Sequence, residues 1–335
     1  MEKTLRTAPT NMMDLTIALV SYNTRDLLKD CLSSVYGQTA GLEFEVIVVD
    51  NVSTDGTLEM LKGEFPQVRI IGNRENLGFA RANNQAIEQS KGRYFLLLNP
   101  DTLFKSGSLH KVITFMDDHS EVGALGCKIL HPNGTIQPSN DNFPNLFTEL
   151  FRVIQLKSLV RNPKMRAKIG REWGKILGGT LGGYLRLYWD TERIREVDWV
   201  TGAFFLVRKE TIQEVGLLDE GFFMYYEDAD WCYRMRQRGW RIFYFPFFEI
   251  VHYVGESDGE FSAQTFIERH KSMHYFFEKH RGRNALFVLR LIISSGLALR
   301  WLGLSVMYAF QRERRHELRK RFFAYLKVIE MRTPD

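Results

Sequence analysis

The sequence has few cysteines, and their spacing excludes two classes of protein. Only Cys31, Cys127 and Cys232 occur among the 335 residues, and none is part of a CxxC pair. A disulfide framework and a zinc knuckle both need paired or closely spaced cysteines. The pattern therefore favours a reducing compartment, such as the cytoplasm, as the location of this chain.

Two signals are also missing near the N-terminus. The opening residues, MEKTLRTAPTNMMD, contain no apolar run of the roughly 7 to 15 residues that a secretory signal needs, so residues 1–13 are predicted to be a loose leader. The first apolar run leads into SYNTRDLL rather than a GxGxxG turn. This argues against a dinucleotide-dependent oxidoreductase.

The net charge of the whole chain is modest, but it is unevenly distributed. The chain carries +5, whereas the segment from Arg281 to the C-terminus has 12 Lys/Arg against 4 Asp/Glu, a charge of +8 that leaves about −3 for the preceding residues. A basic tail of this kind predicts an anionic surface as partner. Because the basic run lies beside an apolar stretch, we expect a membrane surface and no nucleic acid.

Short apolar runs alternate with amphipathic stretches from Leu15 onward. The runs LTIALVSYN, FEVIVVDN, VRIIGN and RYFLLLNPD predict buried strands, and DLLKDCLSSVYGQ, TDGTLEMLKGEF and GFARANNQAIEQSKG predict the helices between them. The pattern indicates a doubly wound α/β domain over residues 14–260. Within it, residues 143–198 lose the strand rhythm and are predicted to form a mobile helical insertion on the active-site side.

Polar residues follow the predicted strands, at the edge where ligands bind in doubly wound sheets. Asp50 ends the second strand, and Asp101 follows the buried run RYFLLLNP. A carboxylate in the position of Asp101 suits a hard cation between protein and diphosphate. The alternative is that Asp101 caps a helix beginning near Ser106. His252, after the last apolar strand, either completes a metal site with Asp101 or is structural.

Three acids lie among aromatic residues in the segment FFMYYEDADWCYR. They are Glu227, Asp228 and Asp230. Aromatic surroundings remove water from a carboxylate and raise its pKa toward that of a working general base. The alternative is that the acids lie at a helix N-terminus, where the helix dipole favours them, and we expect one of the three to do only that.

The order of these motifs resembles family 2 glycosyltransferases, in particular the bacterial rhamnosyltransferase branch. The motifs are VSYN, VVDN-S-DGT, N-N-GFARANN, LLLNPD, TGAFFLVRK, EDADWCYR and HYVGES, and they span residues 14–260. The resemblance implies a GT-A fold with a Rossmann-like doubly wound mixed sheet. It also implies a nucleotide diphosphate sugar as donor and a divalent Mg or Mn ion as cofactor.

The resemblance further assigns roles to individual residues. Asp228 matches the second acid of the family's ED element and is expected to be the general base, with Glu227 as a supporting acid and Trp231 as a wall of the acceptor pocket. Asp101 matches the last acid of the family's DxD element. Because Asn99 replaces the first acid, part of the metal coordination is expected to come from His252.

Ten residues are expected by the same resemblance to line the donor site: Ser21, Tyr22, Asp50, Asn76, Asn83, Asn99, Asp101, Thr201, Gly202 and Ala203. Ser21 and Tyr22 would lie beside the nucleotide, Asp50 would contact the pyrimidine or ribose, and residues 201–203 would face the donor sugar.

The expected reaction is a single in-line displacement that inverts the anomeric configuration. The leading hypothesis is transfer of L-rhamnose from dTDP-rhamnose to a polyprenyl diphosphate-linked or glycan acceptor in bacterial cell-surface polysaccharide synthesis. One alternative is a UDP-hexose or UDP-N-acetylhexosamine donor. The other is a non-catalytic nucleotide-sugar-binding scaffold, which the Asn99 substitution favours.

The C-terminal region, residues 261–335, is predicted to be helical, amphipathic and membrane-associating. The segment Ala285 to Phe310 is long and apolar, but Arg290 and Arg300 interrupt it, and one charge at the bilayer centre costs about 3 kcal/mol. We therefore predict one helix, or two short helices, lying in the membrane interface.

The run QRERRHELRKR would then meet anionic lipids on the cytoplasmic face of the inner or plasma membrane. The protein would be peripheral or monotopic. The alternative is a helix packed on the catalytic domain or on a second subunit of a homo-oligomer.

Overall fold

The structure, a computed structural model, describes residues 13–39, 41–153, 191–253, 262–310 and 315–331. Several predictions lie outside the described residues. These are the leader over residues 1–12, the part of the predicted insertion between 154 and 190, and the end of the HYVGES motif after residue 253.

The first part of the chain alternates strands and helices as predicted. Its elements are β1 (Leu15–Ser21), α1 (Arg25–Gln38), β2 (Phe44–Asp50), α2 (Thr57–Glu64), β3 (Arg69–Gly72), α3 (Gly78–Glu88), β4 (Tyr94–Leu98), β5 (Thr102–Ser106), α4 (Leu109–Asp118) and β6 (Val122–Leu130). The short elements β7 (Ile136–Gln137), β8 (Asn140–Asp141) and α5 (Leu146–Val153) follow.

The second part contains β9 (Arg195–Glu196), β10 (Trp199–Val200), β11 (Phe204–Arg208), α6 (Lys209–Val215), α7 (Glu227–Gln237) and β12 (Arg241–His252), and it ends in two helices, α8 (Ala263–Phe310) and α9 (Arg315–Ile329).

The large sheet is mixed, in the order β3-β2-β1-β4-β11-β6-β12-β5. The first four strands are parallel, β11 runs antiparallel to both of its neighbours, and β5 runs antiparallel to β12. Helices cover both faces, and for this reason β4 consists entirely of buried residues, while β1 and β2 each have a buried apolar centre. The predicted GT-A-like α/β fold with a mixed sheet is confirmed.

Two local features at the edge of the sheet that carries polar residues differ from what the sequence suggests. Asp101 is followed by strand β5, which pairs with β12, so the alternative that it caps a helix near Ser106 is wrong; the next helix begins at Leu109. The run WVTGAFFLV is apolar enough for one strand, but it forms two strands, β10 and β11, separated by a turn over residues 201–203. The turn exposes backbone N–H groups that an unbroken strand would use for pairing.

The C-terminal helices join the α/β domain through a third apolar cluster. Phe222, Tyr226 and Ala229 around the start of α7 pack with Phe276 and Phe277 of α8. Helix α8 is interrupted at Gly282, whose φ of 81° and ψ of 169° are not helical. The cluster thus contains residues from both sides of the boundary predicted at residue 260.

A buried carboxylate reinforces this contact between α7 and α8. Asp230 is fully buried, and it accepts hydrogen bonds from Arg234 within α7 (2.8 Å) and from Lys279 and His280 of α8 (both 2.7 Å). Burial would raise the pKa of Asp230, but the hydrogen bond from His280 and the cationic neighbours lower it to about 2. Asp230 is therefore the structural acid of the three.

We predict that Asp230→Ala destabilises the protein by about 3 kcal/mol, because it leaves the cations that faced this carboxylate without their buried partner. Chemical denaturation followed by circular dichroism measures the change. Asp118→Ala, at the exposed end of α4, is the control and should change the free energy of unfolding by less than about 0.5 kcal/mol. A loss below about 1 kcal/mol for Asp230→Ala would show that the apolar cluster alone holds α8.

Candidate functional site

The candidate site lies where the parallel strands end. The register places Ser21 beside Asp50 and Asp50 beside Gly72, so the carboxyl ends of β1, β2 and β3 form one edge. The Asn99–Asp101 segment extends this edge after β4, and the turn over residues 201–203 joins it, because Asn99 N–H donates to Ala203 O (3.2 Å). Most of the predicted donor residues are therefore brought together.

Asp50 is buried at this edge with an unused acceptor. Its Oδ2 accepts a hydrogen bond from Ser53 N–H (3.0 Å), whereas Oδ1 is buried without a hydrogen-bond partner. Ser21 is buried beside it and its hydroxyl bonds to Thr24, while Tyr22 is half exposed. Val52 has a φ of 63°, which is costly for a β-branched residue and is found mainly at functional sites. The geometry suits a bound polar ligand at the end of β2.

A network of side-chain amides, which the sequence analysis missed, supports this edge. The Asn51 amide donates to Asn76 (3.2 Å) and accepts from Asn73 (2.9 Å), and Asn73 exchanges two hydrogen bonds with Gln85 of α3. Asn76 also accepts from Gly78 N–H (3.0 Å), so its side-chain oxygen is already engaged. The network fixes the start of α3 against β2 and β3.

Asn83 does not match its predicted place at the border of the donor site. Its side chain is buried, and its amide donates to Phe79 O (2.9 Å) within α3. The helix begins at Gly78, as GFARANNQAIEQSKG predicts, and it turns this asparagine inward.

Asp228 lies at the N-terminus of α7 and is held by two backbone donors. Its Oδ2 accepts from Gly202 N–H (3.1 Å) and its Oδ1 from Ala229 N–H (2.7 Å). The two residues before the helix, Tyr225 and Tyr226, have φ values of 68° and 67°. Two consecutive non-glycine residues in the left-handed region are strained, and such strain is typical of functional sites.

Burial disfavours the charged form of both neighbouring acids. It raises the pKa of Asp228 to about 6, and the hydrogen bonds from Gly202 and Ala229 act against a larger rise. Burial, together with the nearby charge of Asp228, raises the pKa of Glu227 well above its ordinary value, and Glu227 Oε2 has no hydrogen-bond partner among the described residues. At pH 7 Asp228 is therefore mostly ionised, as a general base must be.

The turn over residues 201–203 contributes backbone rather than side chains. Thr201 N–H donates to Ser139 O (3.0 Å), and the Ala203 side chain is buried. A Cβ at Gly202 would lie 3.2 Å from the Phe79 ring, so glycine lets the chain pass close to α3. Residues 201–203 thus lie beside Asp228, and Gly202 makes the direct contact with it.

Asp101, His252 and Asn99 lie together on the other side of this turn. His252 Nε2 is 3.1 Å from Asp101 Oδ1 and 3.3 Å from the Asn99 amide nitrogen. Asp101 Oδ1 is buried, and apart from this contact with His252 it has no partner among the described residues. Across the described ranges, no group of three His, Cys, Asp or Glu side chains is arranged for a metal. A cation that shares a diphosphate needs only one or two protein ligands, so these residues fit that kind of ion.

Gln137, which the sequence did not single out, contacts the other ring nitrogen of His252. Its amide nitrogen lies 3.1 Å from His252 Nδ1, and its Oε1 is buried with no partner among the described residues. If the amide nitrogen donates, Nδ1 is the acceptor and Nε2 carries the proton toward Asp101. If the amide turns by half a rotation, Nδ1–H donates to Oε1 and Nε2 offers its lone pair, the form that binds a metal.

Trp231 contradicts its predicted role in the acceptor pocket. Its side chain has no exposed surface, its ring packs against Phe205 of β11, and its Nε1–H donates to Gly216 O (2.9 Å). A residue in this position stabilises the contact between α7 and the sheet. Trp231 is therefore close to Asp228 in the sequence, but α7 directs its side chain away from Asp228 and into the core.

Comparisons with known proteins show the family to which this chain is similar. The sequence model of Glycosyl transferase family 2 matches residues 16–174. N-acetylglucosaminyl-diphospho-decaprenol L-rhamnosyltransferase of Mycobacterium tuberculosis is 30% identical over 316 residues, covering 91% of this chain and 97% of that protein. Rhamnosyltransferase WbbL of Escherichia coli is 26% identical over 272 residues, covering 79% of this chain and 93% of that one.

A solved structure is similar in fold. It is the mannosyltransferase PcManGT from Pyrobaculum calidifontis in complex with GDP-Man and Mn2+, with a TM-score of 0.53 and 16% identity, covering 98% of this chain and 91% of that chain.

We predict that Asp228 sets the acid limb of the pH profile. Because only the ionised carboxylate accepts a proton, kcat/KM should fall as the pH decreases through about 6, the pKa of Asp228. Asp228→Asn should lower kcat by about 10²- to 10⁴-fold and abolish this limb. Steady-state sugar transfer between pH 5 and 8 measures both, with nucleotide affinity as a check that the donor still binds.

Glu227→Gln is the matched control. A glutamine mimics the protonated Glu227, so it should keep the acid limb and most of the activity. An Asp228→Asn enzyme that retains a substantial fraction of wild-type turnover would contradict the assignment, and so would loss of the acid limb in Glu227→Gln alone.

Proposed function

We propose that this chain, which belongs to glycosyltransferase family 2, is an inverting enzyme that moves L-rhamnose from dTDP-rhamnose to a lipid-linked or glycan acceptor. The observation that carries the proposal is the buried carboxylate of Asp228, ionised at neutral pH and held by backbone N–H groups at the edge of the sheet. The similarity to two rhamnosyltransferases supports the choice of sugar. The diphospho-decaprenol in the name of the first relative supports a lipid-linked acceptor, and bacterial cell-surface polysaccharide synthesis is the setting that we propose.

The residues of the chain suit a single in-line displacement. Asp228 takes the proton from the acceptor hydroxyl while that oxygen attacks the anomeric carbon from the face opposite the leaving diphosphate. The raised pKa of Glu227 disfavours a second negative charge beside the base. The turn at Gly202 holds Asp228 in one position, so little reorganisation is needed when the acceptor arrives.

The donor is proposed to lie along the strand ends, with the nucleotide at Ser21, Tyr22 and Asp50. The unpartnered Oδ1 of Asp50 suits a ribose hydroxyl or a pyrimidine N–H as donor. Asp101 and His252, with Asn99 beside them, would hold a Mg or Mn ion against the diphosphate. When bound, such an ion offsets the negative charge that develops on the leaving group.

Nucleotide release from a panel of donors tests the function. We expect metal-dependent release from dTDP-rhamnose, and not from UDP-glucose or UDP-N-acetylglucosamine, in the presence of a prenyl diphosphate-linked N-acetylglucosamine acceptor. Asp101→Asn should raise the concentration of Mn2+ needed for half-maximal release by about tenfold or more, because it removes a ligand charge. Asp118→Asn, an exposed substitution, is the control and should need the same Mn2+ concentration as wild type.

The other outcomes decide between the remaining hypotheses. Release from a UDP sugar alone would reassign the donor. Nucleotide-sugar binding without release from any donor would favour the non-catalytic scaffold, which Asn99 in the metal motif also favours.

The second half of α8 supports the proposed attachment to an anionic membrane surface. Five large apolar side chains are 48–70% exposed there: Phe287, Leu291, Leu299, Trp301 and Leu302. Over Ala263–Leu302 the helix is long and apolar enough to cross a bilayer, and 28% of its most apolar window is buried in the protein. Arg300 is only partly exposed and lies against Val153 O of α5 (3.5 Å), so it faces the protein and not the lipid.

Helix α9 adds Phe323, Leu326 and Ile329, which are also exposed, next to its own basic residues. An apolar face beside Lys and Arg side chains is typical of a helix that lies in the interface of an anionic membrane. We therefore retain the cytoplasmic face of the membrane as the proposed location, with a peripheral or monotopic arrangement.

Leu299→Glu/Leu302→Glu should weaken binding to vesicles of phosphatidylcholine and phosphatidylglycerol by at least about tenfold, because each leucine contributes about 1.5–3 kcal/mol when it enters an apolar phase. Co-sedimentation measures the effect. Ile136→Glu/Phe247→Glu, at two exposed apolar positions of the α/β domain, is the control and should bind as wild type does. Unchanged sedimentation of the helix variant would contradict the proposal, and a change from dimer to monomer would assign the face to a second subunit.

A further inference from the structure

A cavity of about 230 Å³ lies between α5, the start of α7 and α8. Tyr226, directly before the catalytic acids, forms one side. The two halves of α8 form another, on either side of the break at Gly282. The volume is below the roughly 300–1,000 Å³ of pockets that enclose a whole small-molecule ligand. It therefore suits one chemical group of a larger ligand.

Three guanidinium groups face this cavity. Arg152 is fixed by ion pairs with Asp141 and Glu149. Arg269 and Arg300 line the same space, and neither has an ion-pair partner within the part of the chain that the structure describes. Planar guanidinium groups bind phosphate oxygens through paired hydrogen bonds.

The positive charge comes from the arginines alone. His270 also lines the cavity, but burial lowers its pKa to about 4, so the imidazole is neutral at pH 7. Because Arg152 is already paired with two carboxylates, Arg269 and Arg300 supply the uncompensated charge.

The Glu149 carboxylate also lines the cavity, where it is paired with Arg152, and most of the remaining wall is apolar and close to the catalytic base. Val153, Met273, Ile293 and Leu297 line the cavity beside the arginines. Arg269 is near enough to Asp228 for its charge to favour the ionised carboxylate. A group held here would thus have a cationic contact, a hydrocarbon contact and a short path to the base.

We infer that this cavity is the subsite for the phosphate group that joins a lipid carrier to the acceptor sugar. This rests on the proposed function, since a phosphate placed here would direct the attached sugar toward Asp228. Arg269 and Arg300 would bind the phosphate oxygens, and the apolar walls would contact the first isoprenoid carbons. An anionic phospholipid headgroup carries the same chemistry, so the experiment must separate the two sources.

The probes are farnesyl diphosphate and farnesol, titrated into the full-length protein in detergent by calorimetry. EDTA and saturating dTDP are present, so that neither a metal nor the donor site captures the diphosphate. Wild type should bind farnesyl diphosphate at least about tenfold more tightly than farnesol. Arg269→Gln/Arg300→Gln should lose this preference. Lys271→Gln/Arg283→Gln removes two positive charges from exposed positions of the same helix outside the cavity, and it should keep the preference.

Three outcomes would overturn the inference. Wild type could bind the diphosphate and the alcohol equally, or the cavity variant could bind farnesyl diphosphate as wild type does. The third is a cavity variant that loses binding to phosphatidylglycerol vesicles but keeps its affinity for farnesyl diphosphate, which would assign the arginines to a phospholipid headgroup.

The binding result is independent of catalysis. If the wild-type protein released no nucleotide from any donor, the proposed function would fail while the titration still reported on the cavity. If release were normal and the cavity variant raised only the KM for the lipid-linked acceptor, with the donor KM unchanged, both the proposed function and the proposed phosphate subsite would be supported.

Discussion

The hydrogen bond from Gly202 N–H to the Asp228 carboxylate is the constraint on which the site depends. The N–H comes from the turn that separates β10 from β11. The carboxylate that accepts it is in place because α7 begins at Glu227, directly after two tyrosines in the left-handed region. The bond also limits the rise in the pKa of Asp228, so that this buried carboxylate stays mostly ionised at neutral pH. One backbone contact thus links the break in the sheet, the start of the helix and the charge of Asp228.

The three acids at the start of α7 have different surroundings and therefore different pKa values. Asp230 is surrounded by cations and contacts α8, burial and the charge of Asp228 raise the pKa of Glu227, and Asp228 lies between these extremes. Neighbouring carboxylates in one helical turn acquire different properties from partners that lie far away in the sequence. His280 is 50 residues from Asp230, and Gly202 is 26 residues from Asp228.

Features that follow from neighbouring residues could be predicted from the sequence, whereas contacts between residues far apart in the sequence could not. The buried strands and the polar residues at their ends were predictable, because apolar runs and strand termini are local patterns. Gly202 was expected near the donor sugar, but its contact with Asp228 is made by a backbone N–H, which no residue type reveals. Gln137 lies 115 positions from His252, and the direction of Trp231 is set by the packing of α7 on β11. These required the structure.

The second half of α8 has a different chemistry on each of its two sides. Leu299 is exposed on one side and Arg300 faces the cavity on the other, and a helix with its side chains is about 10–12 Å across. If the exposed side rests in the hydrocarbon of a membrane, the arginines stand about one helix diameter above it, near the depth of lipid headgroups. The diameter of a single helix would then set the distance between the membrane and the arginines. It would hold the reacting hydroxyl at a set height above the bilayer, so that a carrier with one sugar reaches the base and a longer glycan extends past it.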